Sequence, residues 1–190
     1  VICNNIQDDN SEEITIIVPE SVKEIADDSF GANYNFRSVV SIHLPKTVEK
    51  FSAEAFYCYM TDFPKLASIE VDPENHLLIH DGVLYSKAGD TLIHCPHTRT
   101  SLHIPEGVTA IDVSAFRRCQ ELSEIVLPAT LSTIRKRAFY RCESLAKLVI
   151  PEGVISIGEE AFSNCKALKE VTLPSSLKEI SPFAFSDCAS

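Results

Sequence analysis

Leu145 to Cys165 reads LAKLVIPEGVISIGEEAFSNC, and the spacing of its apolar residues decides the fold. Leu148 and Ile150 alternate with Val149, so they share one face of a short strand while Val149 takes the other. Pro151 closes the strand: it has no N–H for a ladder and biases Ile150 toward an extended backbone. Pro-Glu-Gly then turns the chain, and Val154 and Ile157, three apart, return to the interior. Gly158–Phe162 falls on the far side, where one turn of α- or 3₁₀-helix is expected, with Phe162 filling the wide part of the core.

The same spacing recurs along the chain. A proline closes an apolar run at Pro19, Pro45, Pro105, Pro128, Pro151 and Pro174, the last four 23 residues apart. Three residues on stand Val22, Val48, Val108, Leu131, Val154 and Leu177; six on, Ile25, Phe51, Ile111, Ile134, Ile157 and Ile180. Eleven on, without exception, come Phe30, Phe56, Phe116, Phe139, Phe162 and Phe185. A period of this length means stacked units, each too small to bury its own apolar face. The six phenylalanines are expected to stack, nearly fully buried, into a spine. Strands are expected to centre on residues 42, 69, 103, 125, 148 and 171.

The strand segment L-x-x-I-x-L appears as Val39-Ile42-Leu44, Leu66-Ile69-Val71, Leu122-Ile125-Leu127, Leu145-Leu148-Ile150 and Leu168-Val171-Leu173. Joined to Ala138-Phe139, Cys142 and Pro151, or to Ala161-Phe162, Cys165 and Pro174, it resembles the BspA-like, or Treponema pallidum-type, leucine-rich repeat. The resemblance covers roughly residues 14–190. It implies an α/β repeat solenoid: a right-handed horseshoe with a parallel β-sheet on its concave face and short helical or 3₁₀ turns on the convex side.

Between Pro73 and Pro96 the pattern changes. Asp81–Ser86 and Thr91–Cys95 flank Lys87-Ala-Gly-Asp90, which reads as a β-hairpin. It looks like a variant repeat of the same family, so residues 73–96 are expected to continue the solenoid, with the Leu102–Ile104 strand beside Leu66–Val71. Insertions at Gly31–Phe36 and Tyr59–Pro64 map to loops. The organisation expected is a non-repeat tail over 1–13 and a leucine-rich repeat domain over 14–190, truncated at its C-terminus.

The 190 residues carry a net charge of −10, which argues against a nucleic-acid or anionic-membrane partner, and no run of 18 apolar residues exists to span a bilayer. Four of seven cysteines, Cys119, Cys142, Cys165 and Cys188, stand three residues after a repeat phenylalanine. That is a ladder of small buried thiols bonded to loop backbone, not a disulfide framework. The six histidines lie between His43 and His103, with His80 placed roughly opposite His97, but no metal-binding spacing accompanies them. Arg117, Arg118, Arg135, Lys136, Arg137 and Arg141 gather on one edge, with Glu143, Glu159 and Glu160 near enough to offset them. No nucleophile elbow, P-loop or dinucleotide motif is present, so no enzyme, cofactor or metal is expected.

The concave sheet is the expected recognition face. One outward row is Thr15, Ser41, Ser68, Ser101, Glu124, Lys147 and Glu170; the other is Ile17, His43, Glu70, His103, Val126, Val149 and Thr172. These rows read either as simple β-propensity and solubility or as a flat polar surface for a protein or glycan. The resemblance implies a non-catalytic binding module of a secreted or cell-surface protein. Its partners would be proteins or glycans on host, matrix or neighbouring cells, with no insertion of this segment into a membrane. Alternatives are a structural spacer or intracellular scaffold, or the non-catalytic part of a larger enzyme. The last repeat, uncapped in sequence, is expected either to be followed by more repeats or to associate end to end.

Overall fold

A computed structural model of the chain describes residues 13–30, 39–52, 54–55 and 66–188. In chain order its strands are β1 (Ile14–Ile17), β2 (Glu24–Ile25), β3 (Val39–Leu44), β4 (Lys50–Phe51), β5 (Ser68–Val71), β6 (Leu77–His80), β7 (Val83–Ser86) and β8 (Thr91–His94). They continue as β9 (Ser101–His103), β10 (Ala110–Ile111), β11 (Glu124–Val126), β12 (Thr133–Ile134), β13 (Lys147–Val149), β14 (Ser156–Ile157), β15 (Glu170–Thr172) and β16 (Glu179–Ile180).

Each regular repeat contributes one strand to each of two parallel ladders. The first-ladder segments form β1-β3-β5, β9-β11 and β13-β15; all but β1 lie at the six places the spacing predicts. The V-x-x-I segments form β2-β4 and β10-β12-β14-β16, the latter extended by β8. Between the ladders lies the core. Phe30, Phe116, Phe139 and Phe162 are wholly buried. From Phe116 to Phe185 the rings stack at centroid spacings of 4.7, 5.0 and 5.2 Å, nearly parallel. Those spacings match the separation of adjacent strands, so one ring fills each layer. Phe185 is only partly buried, contrary to expectation, because no described layer covers its outer side. Phe56 and Cys58, and the insertions at 31–36 and 59–64, lie outside the described residues.

The convex side holds no helix among the described residues, a correction to the sequence reading. It is a run of turns, and two features prevent a helix. Residues two before and two after the phenylalanine have left-handed backbone: Ser114 and Arg118, Arg137 and Arg141, Glu160 and Asn164, Phe183 and Asp187, with φ between 54° and 61°. In the first three of these repeats their amides, and that of the phenylalanine between them, are also spent on the next layer. Arg137, Phe139 and Arg141 donate to the carbonyls of Glu159, Ala161 and Ser163 at 2.9, 2.7 and 2.9 Å. A helix would need right-handed φ and i−4 acceptors. The left-handed strain, about 1 kcal/mol per residue, is held by three interlayer hydrogen bonds per repeat.

The variant repeat is a meander in which β6 pairs antiparallel with β7 and β7 with β8. β8 then joins the second ladder, parallel to β10. The expected pairing of the Leu102 strand with Leu66–Val71 does not form: β5 pairs with β3, and β9 with β11. His80 lies opposite Val83 rather than His97; His97 instead meets His94 edge-on at 5.6 Å.

Candidate functional site

Alternation along the first-ladder strands sends every second side chain outward, and register lines these residues up across repeats. Thr15, Ser41 and Ser68 are in register on β1, β3 and β5, and the Ser68 hydroxyl donates to that of Ser41 at 2.9 Å. In the neighbouring row Ile17 pairs with His43 and His43 with Glu70, His43 Nδ1 lying 3.5 Å from Glu70 Oε2. Ser101 pairs with Glu124, and His103 with Val126. Lys147 pairs with Glu170, joined by a 2.9 Å ion pair, and Val149 with Thr172. The structure therefore brings both predicted rows to one face, in three blocks. Glu70 reaches His43 but is not in register with His103, because β5 and β9 belong to different blocks.

Two shallow depressions flank β11. One, of about 300 Å³, is lined by Asp81, Arg99, Ser101, His103, Glu124 and Val126. The other, of about 420 Å³, lies between β11 and β13 against Ile125, Val126, Leu127, Val149 and Pro151. Val126 and Val149 stand 43% and 54% exposed there. The face holds hydroxyls, two imidazoles, paired charges and the exposed apolar side chains of Ile17, Val126 and Val149. It can make hydrogen bonds and apolar contacts with a flat partner. Asp81 and Arg99, an ion pair at 3.2 Å beside β9, join this surface although the strand rows did not include them. They come from the β6–β7 turn and the approach to β9, outside the repeat spacing.

The basic edge is salt-bridged as expected. Arg135 pairs with Asp112 at 2.7 Å, Lys136 with Glu159 at 2.7 Å, Arg137 with Glu160 at 2.6 Å and Lys166 with Glu143 at 3.1 Å. The hydrogen bond from Arg137 holds the Glu160 carboxyl below its usual range. Arg117 and Arg141 both lie against the Tyr140 ring, 5.6 Å from its centroid.

The cysteine ladder is free thiol. Cys95, Cys119, Cys142 and Cys165 are buried and Cys188 is half-buried. Sγ of Cys142, Cys165 and Cys188 donates to the carbonyls of Phe116, Phe139 and Phe162 at 3.1–3.2 Å, one layer back. A hydrogen bond with Cys95 and then burial push the Cys119 thiol up; burial does so for Cys142 and, to about 12, for Cys165. These thiols are structural groups rather than nucleophiles. Among the described residues no group of three or more His, Cys, Asp or Glu side chains converges as a metal site.

A leucine-rich repeat protein from Eubacterium ventriosum is 27% identical and superposes with a TM-score of 0.79, over 93% of this chain and 46% of that one. A leucine-rich cell surface protein from Faecalibacterium prausnitzii is 26% identical with a TM-score of 0.63, over 92% and 57%. The pneumococcal vaccine antigen PcpA, at 21% identity and a TM-score of 0.56, shares the fold. The chain spans about half the length of these solved relatives. No curated protein matches. The model of the BspA-type leucine-rich repeat region matches six copies over residues 6–86 and 91–190, and the chain belongs to that family.

Proposed function

We propose that this chain is a non-catalytic recognition module of a cell-surface or secreted protein, binding a protein or glycan through its strand face. The observation that carries the reading is the exposure of Val126 and Val149 beside the depression between β11 and β13. An apolar pair set in a polar, hydrogen-bonding surface has the anatomy of an interface core with its rim. The family and the Faecalibacterium cell surface protein support the surface location. Adhesion to host or matrix is the role that fits both.

The test is a screen of the purified protein against matrix proteins and glycans, repeated with Val126→Glu/Val149→Glu. These side chains support no core, so the variant should fold with an unchanged melting temperature and lose at least about tenfold in affinity for any ligand found. Full binding by this variant would refute the strand-face reading.

A further inference from the structure

The strand ladder is interrupted between β11 and β13, in the middle of four regular repeats. Within a bonded pair, the residue before the proline donates to the next strand: Ile104 to the carbonyl of Val126 and Ile150 to that of Thr172, each at 3.0 Å. At the other end Ser123 donates to Thr100 and Lys169 to Ala146, each at 2.9 Å. The corresponding bonds across the β11–β13 boundary, from Leu127 to Val149 and from Ala146 to Ser123, are absent. Side chains follow. Ile125 is half-buried where Leu102 and Leu148 are buried, and Leu127 is 9% exposed against 2% for Ile150.

The turn after each proline explains where the break falls. Glu106 accepts from the amides of Ala129 and Thr130 at 3.0 and 3.3 Å, and the Thr130 hydroxyl donates to the Val108 carbonyl at 2.9 Å. Glu152 accepts from the amide and hydroxyl of Ser175 at 3.1 and 2.8 Å, and the Ser176 hydroxyl donates to the Val154 carbonyl at 2.8 Å. Across the break the forward position is Ala129, which has no carboxylate, and the receiving position is Gly153, which has no hydroxyl. There the backbones close up instead. A Cβ on Gly153 would lie 2.6 Å from the Leu131 carbonyl oxygen, and one on Gly158 2.5 Å from the Lys136 nitrogen. The second ladder and the convex turns stay bonded across the break: Ile155 donates to Ser132 at 3.0 Å, and Phe139 to Ala161 at 2.7 Å.

We propose that the β11–β13 seam is a built-in joint of the solenoid. Repeats pair as clamped units, β9 with β11 and β13 with β15, and the units flex against each other by opening on the strand face. The pivot is the bonded second ladder. Opening at any other position in this region must break strand hydrogen bonds; here it breaks none. The joint lies under Val126 and Val149, so it sets the spacing of that apolar pair. The inference does not depend on the face being a binding site.

Amide hydrogen exchange with residue resolution on the intact protein tests it. The Leu127 amide should exchange at least about tenfold faster than those of Ile104 and Ile150, since it has no acceptor. The double variant A129E/E152A moves the second carboxylate clamp back by one repeat, onto the seam. It should slow Leu127 at least about threefold and speed Ile150. Wild-type protection of Leu127 equal to that of Ile104 overturns the joint. Failure of the double variant to shift protection overturns the clamp as its cause.

Discussion

Replacing Phe139 by alanine probes the stacked spine from its middle. The ring is wholly buried, with Phe116 at 4.7 Å on one side and Phe162 at 5.0 Å on the other. Truncation of a buried phenylalanine costs about 3–5 kcal/mol, the upper end applying where the cavity cannot collapse. Here it cannot. The layer spacing is fixed by 2.7 Å bonds from Phe116 to Ala138 and from Phe139 to Ala161. The expectation is therefore about 5 kcal/mol. Phe185→Ala, half-buried and stacked on one side only, should cost about half as much. If Phe139→Ala does not fold, Phe139→Leu removes three heavy atoms and should cost about 2 kcal/mol at ~0.8 per buried carbon. Urea unfolding followed by circular dichroism and by amide exchange reads these differences. A cost below about 2 kcal/mol for Phe139→Ala, or equal costs at 139 and 185, would refute the reasoning.

Four further outcomes are expected. His94 is buried, and burial, with His97 beside it, holds its pKa well below 6.5. The unfolded chain takes up the proton first, so stability should fall by about 1.4 kcal/mol per pH unit as pH drops below about 6.5. Chemical denaturation at several pH values checks this, and His94→Gln should flatten the slope. Among the described cysteines, Cys188 should be alkylated first in native protein, while Cys95, Cys119, Cys142 and Cys165 resist, read by peptide mass spectrometry. Gly158→Ala should cost about 1–3 kcal/mol through its backbone clash, measured by thermal melts. Phe183, 67% exposed at φ 60°, should gain about 0.5–1 kcal/mol on replacement by glycine, which has no left-handed penalty, measured the same way.

The strand centres, the phenylalanine spine and the cysteine ladder could be read from spacing because each is a side chain repeated in register. The outward rows followed from the period of two. The convex turns could not be read. Arg137, Arg141, Glu160 and Asn164 occupy left-handed backbone that glycine usually signals, and hydrogen bonds to the neighbouring layer's carbonyls hold them there. The blocks of the first ladder were equally hidden. The alternation of Glu106 and Glu152 with Ala129 and Ser175 is visible in the letters, but its meaning needs the contacts across layers. Nothing in the spacing sets His94 apart from the other histidines; its burial comes from the meander, whose third strand turns into the second ladder.

The backbone hydrogen bonds that join one convex turn to the next all point one way. In layer after layer the amides donate forward and the carbonyls receive from behind, from Ser114 and Lys136 through to Asn164 and Ser186. The stack is therefore vectorial. In every layer the forward side carries the amide donors, so two forward sides set against each other would oppose donor to donor. Layers of this kind add only front to back. A contact that extends the ladder from one copy to another must be heterologous, and a heterologous contact builds a ring or a filament instead of closing a two-fold dimer.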